Sequence, residues 1–383
     1  MMNHSNRAGR FVLQPGGYRT FIPAPLPPQP PLVLDDGLLD LLSRADLALG
    51  RLDGVTSILP NPEFFVAMYV RHEAVLSSKI EGTQSSLDDV LEYELGGRQS
   101  KPSDVKEVVN YVRALDHGIR RLKDLPLSLR LIRELHRELL MGVRGSQRTP
   151  GEFRREQNWI GTPGLSIREA DFIPPPVPEM HQALDNFEKF LHAEDQYPIL
   201  IRCALAHAQF ETIHPFPDGN GRVGRLLIAL MLYEAGVLKR PLLYLSHYLK
   251  ARRDEYYSLL NRIRETGDWE RWVAFFLEGV RQVSSEATET ARKILDLRET
   301  SQRRIERELK LRVGAAQLVD FLFHNPVITV PMLRERLDCS YGTANKLIAG
   351  LERLGLVQEM TGWQRNRRYR FEPYLALFGA SRQ

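Results

Sequence analysis

Apolar residues recur three and four positions apart over most of the chain, the spacing of helices that bury one face. The pattern begins at Leu38. Its first long run, Pro62 to Ile80, carries Phe64, Phe65, Met68 and Val75 at helical intervals, and Gly82 is a stop for it. Ser86 with Asp89 has the spacing of a capping box that opens the next helix. Asp104 precedes another helix running to about Leu122, and Leu127 to Met141 continues the series. At Arg148 the pattern changes: Thr149-Pro150-Gly151 leads into Asn158 to Gly164, two short extended runs separated by turn residues. This predicts a β-hairpin inserted in a helical domain, ended by Pro174, Pro175, Pro176 and Pro178. Helical periods resume over Glu179 to Phe190, Pro198 to Thr212 and Arg222 to Gly236, then in two segments through Phe276 and in a charged connecting helix from Glu286 to Leu311.

The two ends read differently. Residues 1 to about 35 hold Pro15, Pro23, Pro25, Pro27, Pro28, Pro30 and Pro31, which forbids helix and predicts an extended, polyproline-like arm, either a linker or packed across the first domain. Near the C-terminus, Ala315 to Phe323, Val330 to Leu337 and Tyr341 to Leu354 are helical patterns, with Ser340 and Gly342 in the turn before the third. Leu356 to Met360 and Arg367 to Phe371 are strand candidates. Three helices followed by a hairpin is the order of a winged helix-turn-helix. The expected divisions are an arm at 1–35, a helical region at 36–125, a core at 126–280, a connecting helix at 281–312 and the last module at 313–383.

Composition narrows the class. Hydrophobic residues at 43% and charged residues at 26% exclude collagen-like and wholly disordered chains. A net charge of +4 is too slight to indicate nucleic acid or membrane by itself. Cys203 and Cys339 are too far apart to form a paired metal motif, so the two thiols point to a reducing compartment and any metal to oxygen ligands. No uninterrupted apolar stretch reaches the roughly 18 residues of a membrane span, and Met1 to Arg10 lacks the apolar core of a secretory signal. The expectation is a soluble cytoplasmic protein.

Chemistry concentrates between His214 and Arg225, in His214-Pro215-Phe216-Pro217-Asp218-Gly219-Asn220-Gly221-Arg222-Val223-Gly224-Arg225. Prolines and glycines forbid helix there, whereas Leu226 to Leu232 resume it, which puts the Gly-Asn-Gly turn at a helix N-terminus. Backbone N–H groups converging at such a turn, with the helix dipole behind them, bind phosphate. Arg222 and Arg225 share one helical face and add cationic donors. Asp218 is placed to hold a divalent cation through oxygen, and His214 accepts a proton near neutral pH. The terminal Lys-Ser/Thr of a Walker loop is missing, and no strand precedes the turn as in a dinucleotide fingerprint. These residues allow phosphoryl transfer and nucleotidyl transfer alike.

The segment resembles the signature of the Fic (filamentation induced by cAMP) family, His-x-Phe-x-Asp/Glu-Gly-Asn-Gly-Arg-x-x-Arg, at every defined position. The likeness extends over roughly Tyr18 to Glu278, with Ser246, Tyr248 and Leu249, and leaves the C-terminal module outside. It implies a mainly α fold, a Fic-type helical core with an inserted hairpin flap, followed here by the winged module. It also implies transfer of AMP from ATP to a protein Ser, Thr or Tyr hydroxyl, the protein itself included, with pyrophosphate leaving. By that resemblance His214 deprotonates the hydroxyl and Asp218 holds Mg²⁺ on the α and β phosphates. Gly219, Asn220 and Gly221 cradle the phosphates with Gly224 nearby, Arg222 contacts the β side, Arg225 orients the γ-phosphate, and Phe216 anchors the motif in the core.

Ser77-Ser78-Lys79-Ile80-Glu81-Gly82 matches the family's inhibitory pattern, Ser/Thr-x-x-x-Glu-Gly/Asn. A carboxylate at Glu81, in the last turn of its helix, is disfavoured by roughly 0.3 to 1 kcal/mol and calls for a cation; the resemblance supplies Arg225. The flap at Trp159 to Ile173 offers an edge for a target strand and, by the same resemblance, nucleotide contacts at Ile160, Gly161 and Thr162. Tyr257 is a candidate wall for the adenine. Arg264 stands where some relatives carry Asn, while Trp269, Trp272, Phe275 and Phe276 read as core. From Val313 to Gln383 there are 9 basic and 6 acidic residues, with Arg365, Arg367, Arg368 and Arg370 at the wing, and Tyr341, Thr343, Asn345 and Lys346 early in the third helix could reach base edges. This keeps open a nucleotide-sensing transcription regulator that binds DNA, winged helices that mediate protein contacts or a homodimer, and a third reading in which Glu81 positions water to remove AMP.

Overall fold

The computed structural model describes residues 5–57, 62–96, 102–162, 164–193, 197–311 and 314–379. In chain order its elements are β1 (Ser5–Asn6), β2 (Gly9–Leu13), β3 (Arg19–Pro23), α1 (Asp36–Ser57), α2 (Pro62–Ile80), α3 (Leu87–Glu94), α4 (Pro102–Arg121), α5 (Leu129–Leu139), α6 (Val177–His192), α7 (Ile199–Ile213), α8 (Asn220–Glu234), α9 (Ser246–Ala251), α10 (Arg253–Thr266) and α11 (Trp269–Glu308). They continue as α12 (Ala315–His324), β4 (Val327–Thr329), α13 (Val330–Leu337), α14 (Tyr341–Arg353), β5 (Val357–Glu359), β6 (Arg368–Phe371) and α15 (Glu372–Ala376). Among the described residues, contacts divide the chain into two compact units: Met1–Asp53 with Glu73–Gln84 and Lys106–Ser285, and Gly54–His72 with Ser85–Val105 and Glu286–Gln383.

The first unit is built around α7 and α8. Both are apolar on every side, and both are buried almost throughout, as all-round hydrophobic helices must be. Two of their polar side chains bond main-chain carbonyls inside the unit: Thr212 Oγ1 donates to the Ala208 carbonyl and Gln209 Nε2 to that of Ala24, each at 2.8 Å. Trp272 of α11 donates its indole N–H to the Ala204 carbonyl at 2.8 Å, which fixes that helix on α7. The expectation of a polyproline-like arm at the N-terminus is corrected. Ser5 to Pro23 form a three-stranded antiparallel sheet, β1-β2-β3, its second turn closed by Gln14 N–H to the Tyr18 carbonyl. The prolines within this part are confined to Pro15, in the turn, and Pro23, the last residue of its strand, so the sheet loses no ladder donor. Beyond it the proline-dense segment packs on the unit, where the Tyr197 hydroxyl accepts the Leu32 N–H at 3.0 Å.

The predicted hairpin is also smaller than expected. Ile160 and Phe172 form an isolated antiparallel bridge, exchanging backbone bonds of 2.8 and 3.1 Å. The residues inside it turn instead of pairing, because Ser166 and Glu169 make a capping box around a short 3-10 turn. Past Phe172, Pro174, Pro175 and Pro176 have no N–H to extend a ladder. Pro163 of this flap and the Phe64 side chain of α2 lie outside the described residues.

In the second unit, α12, α13 and α14 accompany a three-stranded antiparallel sheet of order β4-β6-β5. β4, only three residues long, was not anticipated, and the connecting helix predicted from Glu286 is the continuation of α11. The turn between α13 and α14 lies at Asp338, which is left-handed (φ 45°), and at Ser340, whose hydroxyl caps the Thr343 N–H. Gly342 belongs to the first turn of α14. Arg370 is fully buried, hydrogen-bonded to Asp88 at 3.1 Å and ion-paired with Glu372 at 2.7 Å, which removes it from the predicted basic wing. Cys203 and Cys339 are both free thiols. Among the described residues no helix is long and apolar enough to cross a membrane.

Candidate active site

The motif forms a bend between the two buried helices. α7 stops because His214 adopts a left-handed conformation (φ 48°), and α8 starts at Gly219, left-handed in turn (φ 78°). Gly suits that position because it lacks the Cβ that penalises positive φ. Asn220 clips the bend together: its Oδ1 accepts the Phe216 N–H at 2.9 Å and its Nδ2 donates to the Phe216 carbonyl at 2.8 Å. Phe216 is buried and stacks on His136, ring centroids 3.8 Å apart. The Nδ1 of His136 accepts the Gly151 N–H at 2.8 Å, so Nε2 carries the proton and donates to the Asp218 carbonyl at 3.0 Å. Burial drives this ring's pKa down to about 4 and keeps it neutral. Arg154 donates to the His214 carbonyl at 3.1 Å and to the Pro175 carbonyl at 2.5 Å, tying the bend to the flap.

Among the described residues no side chain caps α8, so the N–H groups of its first turn face outward as an anion site. An anion from the chain itself already occupies that end. The Glu81 carboxylate accepts from Arg225 Nη2 at 2.8 Å, and Arg225 Nε donates to the Ser77 hydroxyl at 2.8 Å. A Cβ placed on Gly221 would stand 2.3 Å from Glu81 Oε1, so a side chain at position 221 would require the carboxylate to shift. Burial alone would raise the Glu81 pKa, but the Arg225 charge and hydrogen bond outweigh it and hold the carboxyl below its usual range. Glu81 is the first residue past α2, and Gly82, left-handed at φ 93°, turns the chain away.

Arg222 is buried and bonds Glu107 of α4 at 3.1 Å, a counter-ion that sequence reasoning missed because it lies in a helix far along the chain. Asp218 Oδ1 accepts the Gly219 N–H at 2.7 Å and stands 3.7 Å from Arg222. Among the described residues there is no cluster of three metal-ligating side chains. A single carboxylate nonetheless suits Mg²⁺, which draws most of its octahedral shell from water and phosphate oxygens. His214 is half-buried, and its pKa is lowered to about 4 by burial and by the charges of Arg264 and Arg154, so the ring is neutral.

His214, Asp218, Gly219 to Gly221, Arg222 and Arg225 thus gather with Ser77 and Glu81 at one helix end. Gly224 faces inward, where a Cβ would meet Glu211 Oε1 at 2.7 Å and His207 at 3.3 Å. Ile160 and Gly161 are half-buried at the flap's bridge and Thr162 is exposed. The Tyr257 ring, 36% exposed, lies 4.9 Å from Tyr256 with Arg253 over it; partial desolvation raises its pKa, and Glu81 and Arg225 act on it as well. Arg264 donates to Thr212 at 3.2 Å and covers the Phe172 ring, holding the flap's return strand.

Glu211 was not anticipated either. It is buried, its Oε1 lacks a hydrogen-bond partner, and burial raises its pKa to about 7 despite the Arg225 charge. A carboxyl whose folded value exceeds its unfolded one favours the fold below the unfolded value, and that contribution is lost as pH rises through about 7. Glu211→Gln is therefore expected to melt close to the wild type at pH 5 and several degrees above it at pH 8, by circular dichroism. An equal shift at both pH values would contradict the assignment.

Two family models match the chain: Fic/DOC family N-terminal over residues 39–120 and Fic/DOC family over residues 126–232. Among curated proteins, a probable protein adenylyltransferase of Aquifex aeolicus is 27% identical over 198 residues, which cover 50% of this chain and 57% of that one. The protein adenylyltransferase Fic of Drosophila mojavensis is 34% identical over 160 residues, 41% of this chain and 28% of that one. The chain thus spans just over half the length of the first relative and under a third of the second. Among solved structures, a Fic family protein from Desulfovibrio desulfuricans superposes with a TM-score of 0.58 at 20% identity, covering 90% of this chain and 98% of that one. A Fic domain containing signaling protein from Bacteroides thetaiotaomicron gives 0.53 at 18% identity, covering 65% and 96%. The shared fold is the mainly helical Fic fold.

Proposed function

We propose that this chain, a member of the Fic/DOC family, transfers AMP from ATP to a Ser, Thr or Tyr hydroxyl of a protein, itself included, and that Glu81 restrains it. The observation that carries the reading is the Glu81 carboxylate on Arg225, directly over Gly221: an anion of the chain's own lies on the guanidinium that this reading assigns to the terminal phosphate. In the transfer, the target hydroxyl oxygen bonds to the α-phosphorus, the bond from that phosphorus to the bridging oxygen breaks, and pyrophosphate leaves. His214, neutral in the fold, takes the hydroxyl proton. The α8 N–H groups and Arg222 stabilise charge on the phosphates, and Arg225, once released by Glu81, takes the γ-phosphate. Asp218 would hold Mg²⁺, whose charge when bound neutralises the α and β phosphates. Tyr257 and residues Ile160 to Thr162 flank the adenosine. Relatives named protein adenylyltransferases support nucleotidyl over phosphoryl transfer.

The test is incubation of the purified chain with Mg²⁺ and ATP labelled at either the α or the γ phosphorus. Protein-bound label from the α position only is the expected result. Label from the γ position would make the enzyme a phosphoryl transferase, and loss of AMP from a pre-modified target without transfer would reverse the reaction's direction.

A further inference from the structure

Residues beyond 232 lie outside both family-model matches, and the proposed transfer uses nothing of the C-terminal module. That module carries a groove of its own. About 390 Å³ opens between the N-terminal ends of α13 and α14 and the loop joining β5 to β6, lined among others by Pro331, Tyr341, Asn345, Gln364, Arg365 and Arg367. No carboxylate lines it. The nearby Glu359 is taken up by its own loop, where it accepts the N–H groups of Thr361 and Gly362.

Both walls are built for contact. α14 buries Ala344, Ile348 and Leu351 in the module and leaves Tyr341, Thr343, Asn345 and Lys346 exposed. The opposite loop presents Arg365 and Arg367 to solvent, and Arg368 lies over Trp363, itself 53% exposed, at 5.8 Å. A helix with a polar exposed face beside a cationic loop matches a duplex in shape and charge. B-form DNA has a major groove wide enough for a helix, and phosphates border it on both sides. The A-form groove of duplex RNA is too deep and narrow to admit one. Arginines with no carboxylate among them complement the uniform negative charge of a phosphate backbone.

We propose that the C-terminal module binds double-stranded DNA, with α14 in the major groove, Asn345 and Tyr341 at base edges, and Arg365 and Arg367 on flanking phosphates. The proposal is independent of the transfer chemistry. The experiment is fluorescence anisotropy of the full chain with a labelled mixed-sequence duplex at low and moderate salt. Affinity is expected to fall roughly ten- to a hundredfold between 50 and 200 mM salt, as release of counterions from a few phosphates requires. The double variant Arg365→Ala/Arg367→Ala should bind at least tenfold more weakly with a shallower salt slope, while its melting temperature and label transfer stay those of the wild type. Asn345→Ala should relax preference among duplexes selected from a random pool. No binding at low salt, equal binding by the double variant, equal affinity for duplex RNA, or a purified protein partner held by the same arginines would overturn the proposal.

Discussion

Glu81→Gly is expected to raise label transfer from ATP by roughly 5- to 150-fold, the range that a coupling of about 1 to 3 kcal/mol between two competing states produces. Arg225 is almost wholly buried and is held at three points, by Glu81, the Ser77 hydroxyl and the Ser77 carbonyl. A phosphate reaching that guanidinium must displace the carboxylate. The carboxylate is ionised at any working pH, since the Arg225 charge holds it below the usual range. The variant removes the competing anion, leaves Arg225 on Ser77, and clears the space over Gly221. The gain should appear at saturating ATP as well as at low ATP, because on the proposed reading a γ-phosphate seated beside Glu81 would lie in the wrong orientation for attack at the α-phosphorus. Auto-modification followed by mass spectrometry reads both the added adenylate and the residue modified. An unchanged or weaker signal would remove Glu81 from the inhibitory role.

Replacing His214 is expected to cost roughly 10²- to 10⁴-fold in transfer, the contribution of a positioned general base, with ATP affinity changed far less. The choice of variant matters because position 214 is left-handed (φ 48°), a conformation that Asn tolerates better than most residues. His214→Asn therefore separates the chemistry from the backbone, while His214→Ala adds a strain at the bend. Matching melting curves for wild type and His214→Asn, with transfer lost and nucleotide binding kept, is the expected outcome. Transfer persisting in both variants would assign the proton to another group. The ring is neutral well below pH 7, so its availability is not what limits the reaction on the acid side of neutrality. On the proposed reading, the negative charge of an ATP phosphate chain beside the ring would raise its basicity.

Much of this was legible along the chain. The motif's prolines and glycines announced a bend at a helix start, and the spacing of Arg222 and Arg225 put both on the helix that follows it. The helical series was readable because its period is local. Three-residue strands such as β4 are too short to show a period, and the N-terminal sheet was hidden by prolines that happen to fall in turns and at a strand's last residue.

The order of residues in the chain determined the helical class, the bend at the start of α8 and the place of Glu81 and Gly82 at the end of α2, since each depends on neighbours within a turn or two. Tertiary structure alone decided that Arg222 answers to Glu107, that His136 rather than any loop residue props Phe216 and Asp218, that Gly224 makes room for Glu211, and that Arg370 is an internal ion rather than part of a basic surface. The reason is physical: a buried charge or an unpaired N–H must find its partner in space, and packing brings that partner from any distance along the chain.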